Sequence, residues 1–135
     1  AIGTSHGAYK FKGEAKLRFD ILEQIKARIP NTPIVLHGAS TVIPELVDKC
    51  NKYGANIPGA KGVPDEILKE ASESGVSKIN VDTDLRLAMT AGIRKVLYQD
   101  GNVIDPRKYL AELRKIVKEV VKEKIEKIFG SKDRI

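Results

Sequence analysis

Two stretches of this chain are punctuated in the same way. Pro44 opens "PELVDKCNKYG" and Gly54 closes it; Pro64 opens "PDEILKEASESG" and Gly75 closes it. Proline suits the first turn of a helix, where its missing N–H has no partner in any case, and glycine suits the position just past the end. A short apolar run lies before the first of these helices (Pro33 to Leu36), and "VSKINVD" (76–82) follows the second. Such alternation is the signature of βα units and of a parallel sheet.

The rest of the chain fits that frame. Ala1 to Thr4 reads as the end of a further strand, making three in all. "DILEQIKAR" offers Asp20 as N-cap with Glu23 three places on, a capping-box pattern, and Pro30 stops that helix. Helices are expected from about Thr83 to Tyr98 and from about Pro106 to Phe129, the last with Leu110, Leu113, Val117, Val120 and Val121 near one side.

Parity along the strands gives the first functional hint, because successive side chains point to opposite faces. Ile34 and Leu36 face one way, Val35 and His37 the other; Ile79 and Val81 share a face, while Lys78, Asn80 and Asp82 share the opposite one. Apolar residues toward covering helices, with polar residues inward at the C-terminal ends of strands, describe the active mouth of a parallel α/β barrel. An open doubly wound sheet also binds ligands at that edge. An eight-stranded barrel takes about 250 residues. With 135 residues and three strands, the sheet is open or the chain is the later part of a longer polypeptide. The second is expected, since Ala1 enters a motif with no cap or tail before it.

Composition removes several function classes. The chain, 41% hydrophobic and 31% charged, supports one modest domain, and no apolar run approaches the roughly 20 residues of a membrane span. Cys50 is the only cysteine, which excludes an internal disulfide and a cysteine-built zinc site and fits a reducing, cytoplasmic setting. Much of the net charge of +6 sits in helical Lys/Glu alternation such as "KIVKEVVKEKIEK", a solvated face. With aromatics at 5% and no Trp, nucleic-acid binding is not expected, and the positive excess suits a small anion such as a phosphate ester.

Three groups of residues could carry chemistry. His6 and His37, the only histidines, lie at the ends of two successive expected strands and each precede glycine, so two imidazoles from neighbouring strands could meet at one metal. Gly7, Gly38, Ala39 and Ser40 are small enough to let peptide N–H groups approach an anion, and Ser40 adds a hydroxyl. In "NVDTD" (80–84), Asp82 or Thr83 can cap the helix that follows, and the N–H groups of its first turn offer a phosphate site. Lys10 and Arg107 read, on sequence alone, as solvated surface charges.

"GTSHGAYK", "VLHGAS", "KINVDTDLRLA" and "DPRKYL", in this order and at these separations, resemble the C-terminal portion of the class II, zinc-dependent fructose-1,6-bisphosphate aldolases. The resemblance covers essentially the whole chain. It implies a TIM (β/α)8 barrel of which residues 1–135 supply the last three strands and the C-terminal helices, with a helical extension from about residue 105. His6 and His37 fall on zinc-ligand positions. Gly7, Lys10, Gly38, Ala39 and Ser40, with Asn80, Val81, Asp82 and Thr83, fall on segments that hold the phosphate and hydroxyls of dihydroxyacetone phosphate. Arg107 falls on a position that reaches across a subunit interface to the other phosphate, which implies a homo-oligomer, dimer or tetramer. A Zn2+ or other divalent metal, and a monovalent cation near Gly7 and Gly38, are the implied cofactors.

The implied activity is reversible cleavage of fructose 1,6-bisphosphate to dihydroxyacetone phosphate and glyceraldehyde 3-phosphate. The third zinc ligand and the catalytic acid/base are expected upstream. Tagatose-1,6-bisphosphate cleavage and a non-catalytic metal- or phosphate-binding fragment are the alternatives.

Overall fold

The computed structural model describes residues 1–4, 16–59 and 61–134. His6, Gly7 and Lys10 therefore lie outside the described residues. In chain order the elements are α1 (Phe19–Arg28), β1 (Ile34–Leu36), α2 (Pro44–Lys52), α3 (Asp65–Glu73), β2 (Val76–Ile79), α4 (Thr83–Gln99) and α5 (Pro106–Lys124), the last continuing as a π-helical turn over Ile125–Phe129. No helix among the described residues is long and apolar enough to cross a membrane.

β1 and β2 pair in parallel, as the βα alternation requires. Their register carries one irregularity: Ile34 pairs with Val76 but Val35 pairs with Lys78, so Ser77 is an extra residue on β2. Simple alternation would not bury residues three apart, yet Val76 and Ile79 are both buried while Ser77 and Lys78 are exposed. The ladder continues past the strand ends, where the Asn80 N–H donates to the Leu36 carbonyl at 3.0 Å.

Ala1–Thr4 is not a strand, contrary to expectation. The carbonyl of Ile2 is taken by the Arg18 N–H at 3.0 Å. Thr4 meets the end of β1 with a side chain, its hydroxyl donating to the His37 carbonyl at 2.8 Å. Contact with β1 is thus made without a backbone ladder, although Ile2 is buried in the core.

The capping box at Asp20 also fails to form. Arg18 occupies the N-cap of α1, and the Asp20 carboxylate sits in the first turn, paired with Arg18 at 2.6 Å. Pro44 lies at the start of α2 and Asp105 caps α5, accepting from the Arg107 N–H at 2.9 Å.

Apolar burial falls into two clusters. Leu22, Leu36, Val63, Leu68, Val76 and Ile79 belong to one beneath the sheet; Val42, Leu46, Val47, Cys50, Leu87 and Val120 belong to the other, between α2, α4 and α5. Leu22 and Leu68 are 1% and 0% exposed, and burying a side chain of that size stabilises by about 1.5–3 kcal/mol. The segment 37–43 runs from the first cluster to the second, with Ala39 in one and Val42 in the other.

Candidate functional site

His37 is the residue just beyond β1, and Asn80 the residue just beyond β2. The register that joins Leu36 to Ile79 sets the two side by side, and the Asn80 amide nitrogen lies 3.1 Å from His37 Nδ1. The Lys78 ammonium donates to Asn80 Oδ1 at 2.7 Å. A carboxamide whose oxygen faces an ammonium turns its NH2 toward the ring, an arrangement in which Nδ1 is the acceptor. Lys78, Asn80 and His37 thereby form a chain of polar groups at the C-terminal ends of two parallel strands.

After His37 the backbone turns sharply. Gly38 has φ +68°, in the left-handed region that glycine enters at little cost. Ala39 and Ser40 are buried, at 0% and 1% exposure. The Ser40 hydroxyl oxygen accepts the N–H groups of Asp82 at 3.3 Å and Thr83 at 3.1 Å. Both lone pairs are then engaged, which leaves its O–H proton to donate. Neither Asp82 nor Thr83 caps α4 through its own side chain, as the sequence suggested they could. Asp82 is the N-cap residue, but its carboxylate pairs with Arg86 at 2.9 Å; the cap comes from Ser40, forty-two residues earlier.

The bond also runs the other way. Asp84, in the first turn of α4 and 0% exposed, accepts the N–H groups of Thr41 at 2.9 Å, Val42 at 2.6 Å and Ile43 at 3.4 Å, and the Thr41 hydroxyl at 2.9 Å. Successive N–H groups converging on one carboxylate make an anion nest filled by the protein's own side chain. Val42 sits inside it at φ +52°, a conformation that a β-branched residue adopts only when its surroundings impose it. Lys124 closes the cluster from α5, its ammonium 2.6 Å from the Thr41 hydroxyl, 3.0 Å from Asp65 and 3.5 Å from Asp84.

The candidates thus separate into groups. His37, Gly38, Ala39, Ser40, Asn80, Val81, Asp82 and Thr83 are gathered where the two βα loops meet. Arg107 stands apart in the first turn of α5, its side chain 91% exposed, with its guanidinium 2.7 Å from Asp105. That guanidinium holds the Asp105 carboxyl below the usual carboxylate range.

Sequence reasoning passed over Asp84 and Lys124, although both left a trace. Each interrupts an apolar stripe: Asp84 precedes Leu87, Ala88 and Ala91, and Lys124 lies between Val120 and Ile128. A charge at a core position of a helix implies a buried partner.

The sequence profile described as "Fructose-bisphosphate aldolase class-II" matches residues 1–58 and 57–134, which together cover nearly the whole chain. The chain belongs to the class II fructose-bisphosphate aldolase family. A "Fructose-bisphosphate aldolase" of Thermus caldophilus is 50% identical over 131 residues, covering 97% of this chain and 42% of that protein. Those of Treponema pallidum (strain Nichols) and Helicobacter pylori (strain J99 / ATCC 700824) are each 46% identical, covering 99% and 100% of this chain and 44% and 43% of theirs. The chain spans less than half the length of the curated relatives it matches.

Class II aldolases are as a family zinc-dependent. Among the described residues no three His, Cys, Asp or Glu side chains gather at one point. His37 by itself fits one ligand position by residue type and place: it is half-buried and directly follows a strand, and with Nδ1 engaged by the Asn80 amide a metal would bind at that nitrogen only in exchange for this hydrogen bond.

Proposed function

We propose that the full-length polypeptide containing this chain is a metal-dependent aldolase that cleaves fructose 1,6-bisphosphate reversibly into dihydroxyacetone phosphate and glyceraldehyde 3-phosphate. The observation that carries this reading is the meeting of His37 and Asn80, 3.1 Å apart at the ends of two parallel strands, in a chain of this family. In the whole protein the β1–β2 pair would be part of a (β/α)8 barrel, with Ala1–Thr4 alongside β1. The contact of Thr4 with the His37 carbonyl supports that placement.

His37 and His6 would hold the metal, with a further ligand from the rest of the polypeptide. When bound, a divalent ion such as Zn2+ supplies Lewis-acid stabilisation of the negative charge that develops as the C3–C4 bond breaks. Asn80 orients the His37 ring and presents an amide to substrate hydroxyls. Gly38 and Ala39 let peptide N–H groups approach a phosphate, Ser40 has an O–H proton to give, and the start of α4 at Asp82 and Thr83 adds the positive end of a helix dipole. Gly7 and Lys10 would complete the phosphate site, as the family resemblance implies. Holding the phosphate lets binding energy distant from the reacting carbons fix their orientation.

Arg107 would contact the second phosphate from a neighbouring subunit of a homo-oligomer. Its exposed guanidinium, with exposed Tyr98, Ile104 and Leu110 nearby in the chain, supports that role. Cys50, buried and with its thiol pushed up by burial, suits a cytoplasmic protein.

The test is metal analysis of the full-length protein joined to an aldol-cleavage assay with and without chelator. Cleavage that disappears with chelator and returns with Zn2+, and that is lost in His37→Ala, is the expected result. Cleavage indifferent to chelator, or wild-type turnover in His37→Ala, would remove the metal reading.

A further inference from the structure

We propose that Lys124, on the C-terminal helix, is a positioning residue for the phosphate loop, acting through Thr41 and Asp84. This rests on the reading of Gly38–Ser40 as that loop.

Lys124 is a poor choice for packing alone. It occupies a stripe position with Val117, Val120 and Ile128, and its side chain is 5% exposed. Replacing a buried ion pair with well-packed apolar residues is frequently neutral or stabilising, so a lysine here costs desolvation that methionine or leucine would not. What the lysine adds is direction. Its ammonium reaches the Thr41 hydroxyl at 2.6 Å, and that hydroxyl donates to Asp84 at 2.9 Å. Asp65, at the start of α3, takes a further hydrogen bond from the ammonium at 3.0 Å.

The loop needs such direction because of its backbone. Ser40 precedes a turn in which Val42 is held at φ +52°, and three consecutive N–H groups of that turn converge on Asp84. A carboxylate alone fixes where those groups point but can swing with its own helix. The Lys124 bridge fixes the carboxylate, Thr41 and α3 to one another. The position of the Ser40 hydroxyl, and of the Gly38 and Ala39 peptides before it, then depends on a side chain more than eighty residues later in the sequence.

The experiment uses the full-length protein with Lys124→Met and Lys124→Arg. Three quantities are read below the melting temperature of each variant: the Kd for inorganic phosphate, and KM and kcat for fructose 1,6-bisphosphate cleavage. Supporting partners of a site typically change affinity or activity by about ten- to a hundred-fold when removed, so a rise of about ten-fold in phosphate Kd and KM is expected for Lys124→Met, with kcat little changed. Lys124→Arg should recover most of it.

A Lys124→Met protein with a lower melting temperature but wild-type phosphate Kd and KM would show a purely structural cation and overturn the inference. Should Lys124→Met not fold, Thr41→Val removes the hydroxyl link and keeps the ion pairs; an unchanged phosphate Kd in that variant overturns the inference equally. Failure of the wild type itself to bind phosphate or cleave the sugar would instead remove the functional reading on which Lys124's role depends.

Discussion

Ser40 and Asp84 cap each other's segments. The Ser40 hydroxyl oxygen accepts two N–H groups from the start of α4, while the Asp84 carboxylate, in the first turn of α4, accepts three from the turn that follows Ser40. Neither loop end can move without breaking bonds in the other. Losing one partner from a buried charge pair costs about 3 to 5 kcal/mol, since the other charge stays buried. Asp84→Ala should therefore destabilise the full-length protein by about that much in urea unfolding, and a change under about 1 kcal/mol would show that the turn is held by other means.

Ser40→Ala is the milder test of the same lock. It leaves the Asp82 and Thr83 N–H groups without their acceptor, a loss comparable to removing a helix cap, worth about 1 to 2 kcal/mol. Phosphate affinity of the full-length protein should fall at the same time. Full stability together with unaltered phosphate binding would rule out both roles.

Gly62 bears on the site by contact. A methyl group added there would collide with the Ser40 carbonyl oxygen and the carbonyl of Thr41, both backbone, and the neighbouring Val63 N–H donates to that Ser40 oxygen at 3.1 Å. Gly62→Ala should cost about 1 to 3 kcal/mol, as overpacking does, and should weaken phosphate binding by pushing the Ser40–Thr41 peptide. Wild-type values for the thermal midpoint and phosphate Kd would mean that the 61–63 segment yields instead.

Asp105 supplies a pH test away from His37. The Arg107 guanidinium and backbone N–H both bind its carboxylate and lower its pKa in the folded state. A carboxyl group depressed on folding contributes stability that is fully present above its unfolded pKa, about 4, and is lost as pH falls through the lower folded value. Asp105→Asn should be less stable than wild type at pH 7, with the difference shrinking below about pH 4. A difference independent of pH over that range would show that the ionised carboxylate is not what matters.

The positions of the helices could be read from Pro44, Pro64 and Pro106 and from Gly54 and Gly75, because backbone restrictions act locally. His37 and Asn80 could be placed on the same face from strand parity, and the structure brings them to 3.1 Å. What escaped were bonds whose partners are far apart in the chain. Asp82 has the right chemistry to cap α4, but Arg86 is one turn away and claims its carboxylate, while Ser40 reaches the free N–H groups from another loop. Asp20 failed as a cap for a similar reason, being drawn to Arg18. Asp84 and Lys124 stood in apolar stripes as unexplained charges; only the packing of α5 against the rest reveals that they belong together. Ala1–Thr4 had strand composition but uses its hydrogen bonds on Arg18 and through a side chain, which no periodicity encodes.

Ser77, the unpaired residue on β2, acts on the strand as a half-period delay acts on a wave. With it, every residue downstream is inverted relative to its upstream neighbours, and Asn80 arrives opposite His37. Were Ser77 paired in the ladder like its neighbours, Lys78 would fall opposite Leu36, toward the oily interior, and Ile79 would take the place beside the imidazole. The polarity of the site is therefore written partly as a register, in one residue left out of the ladder.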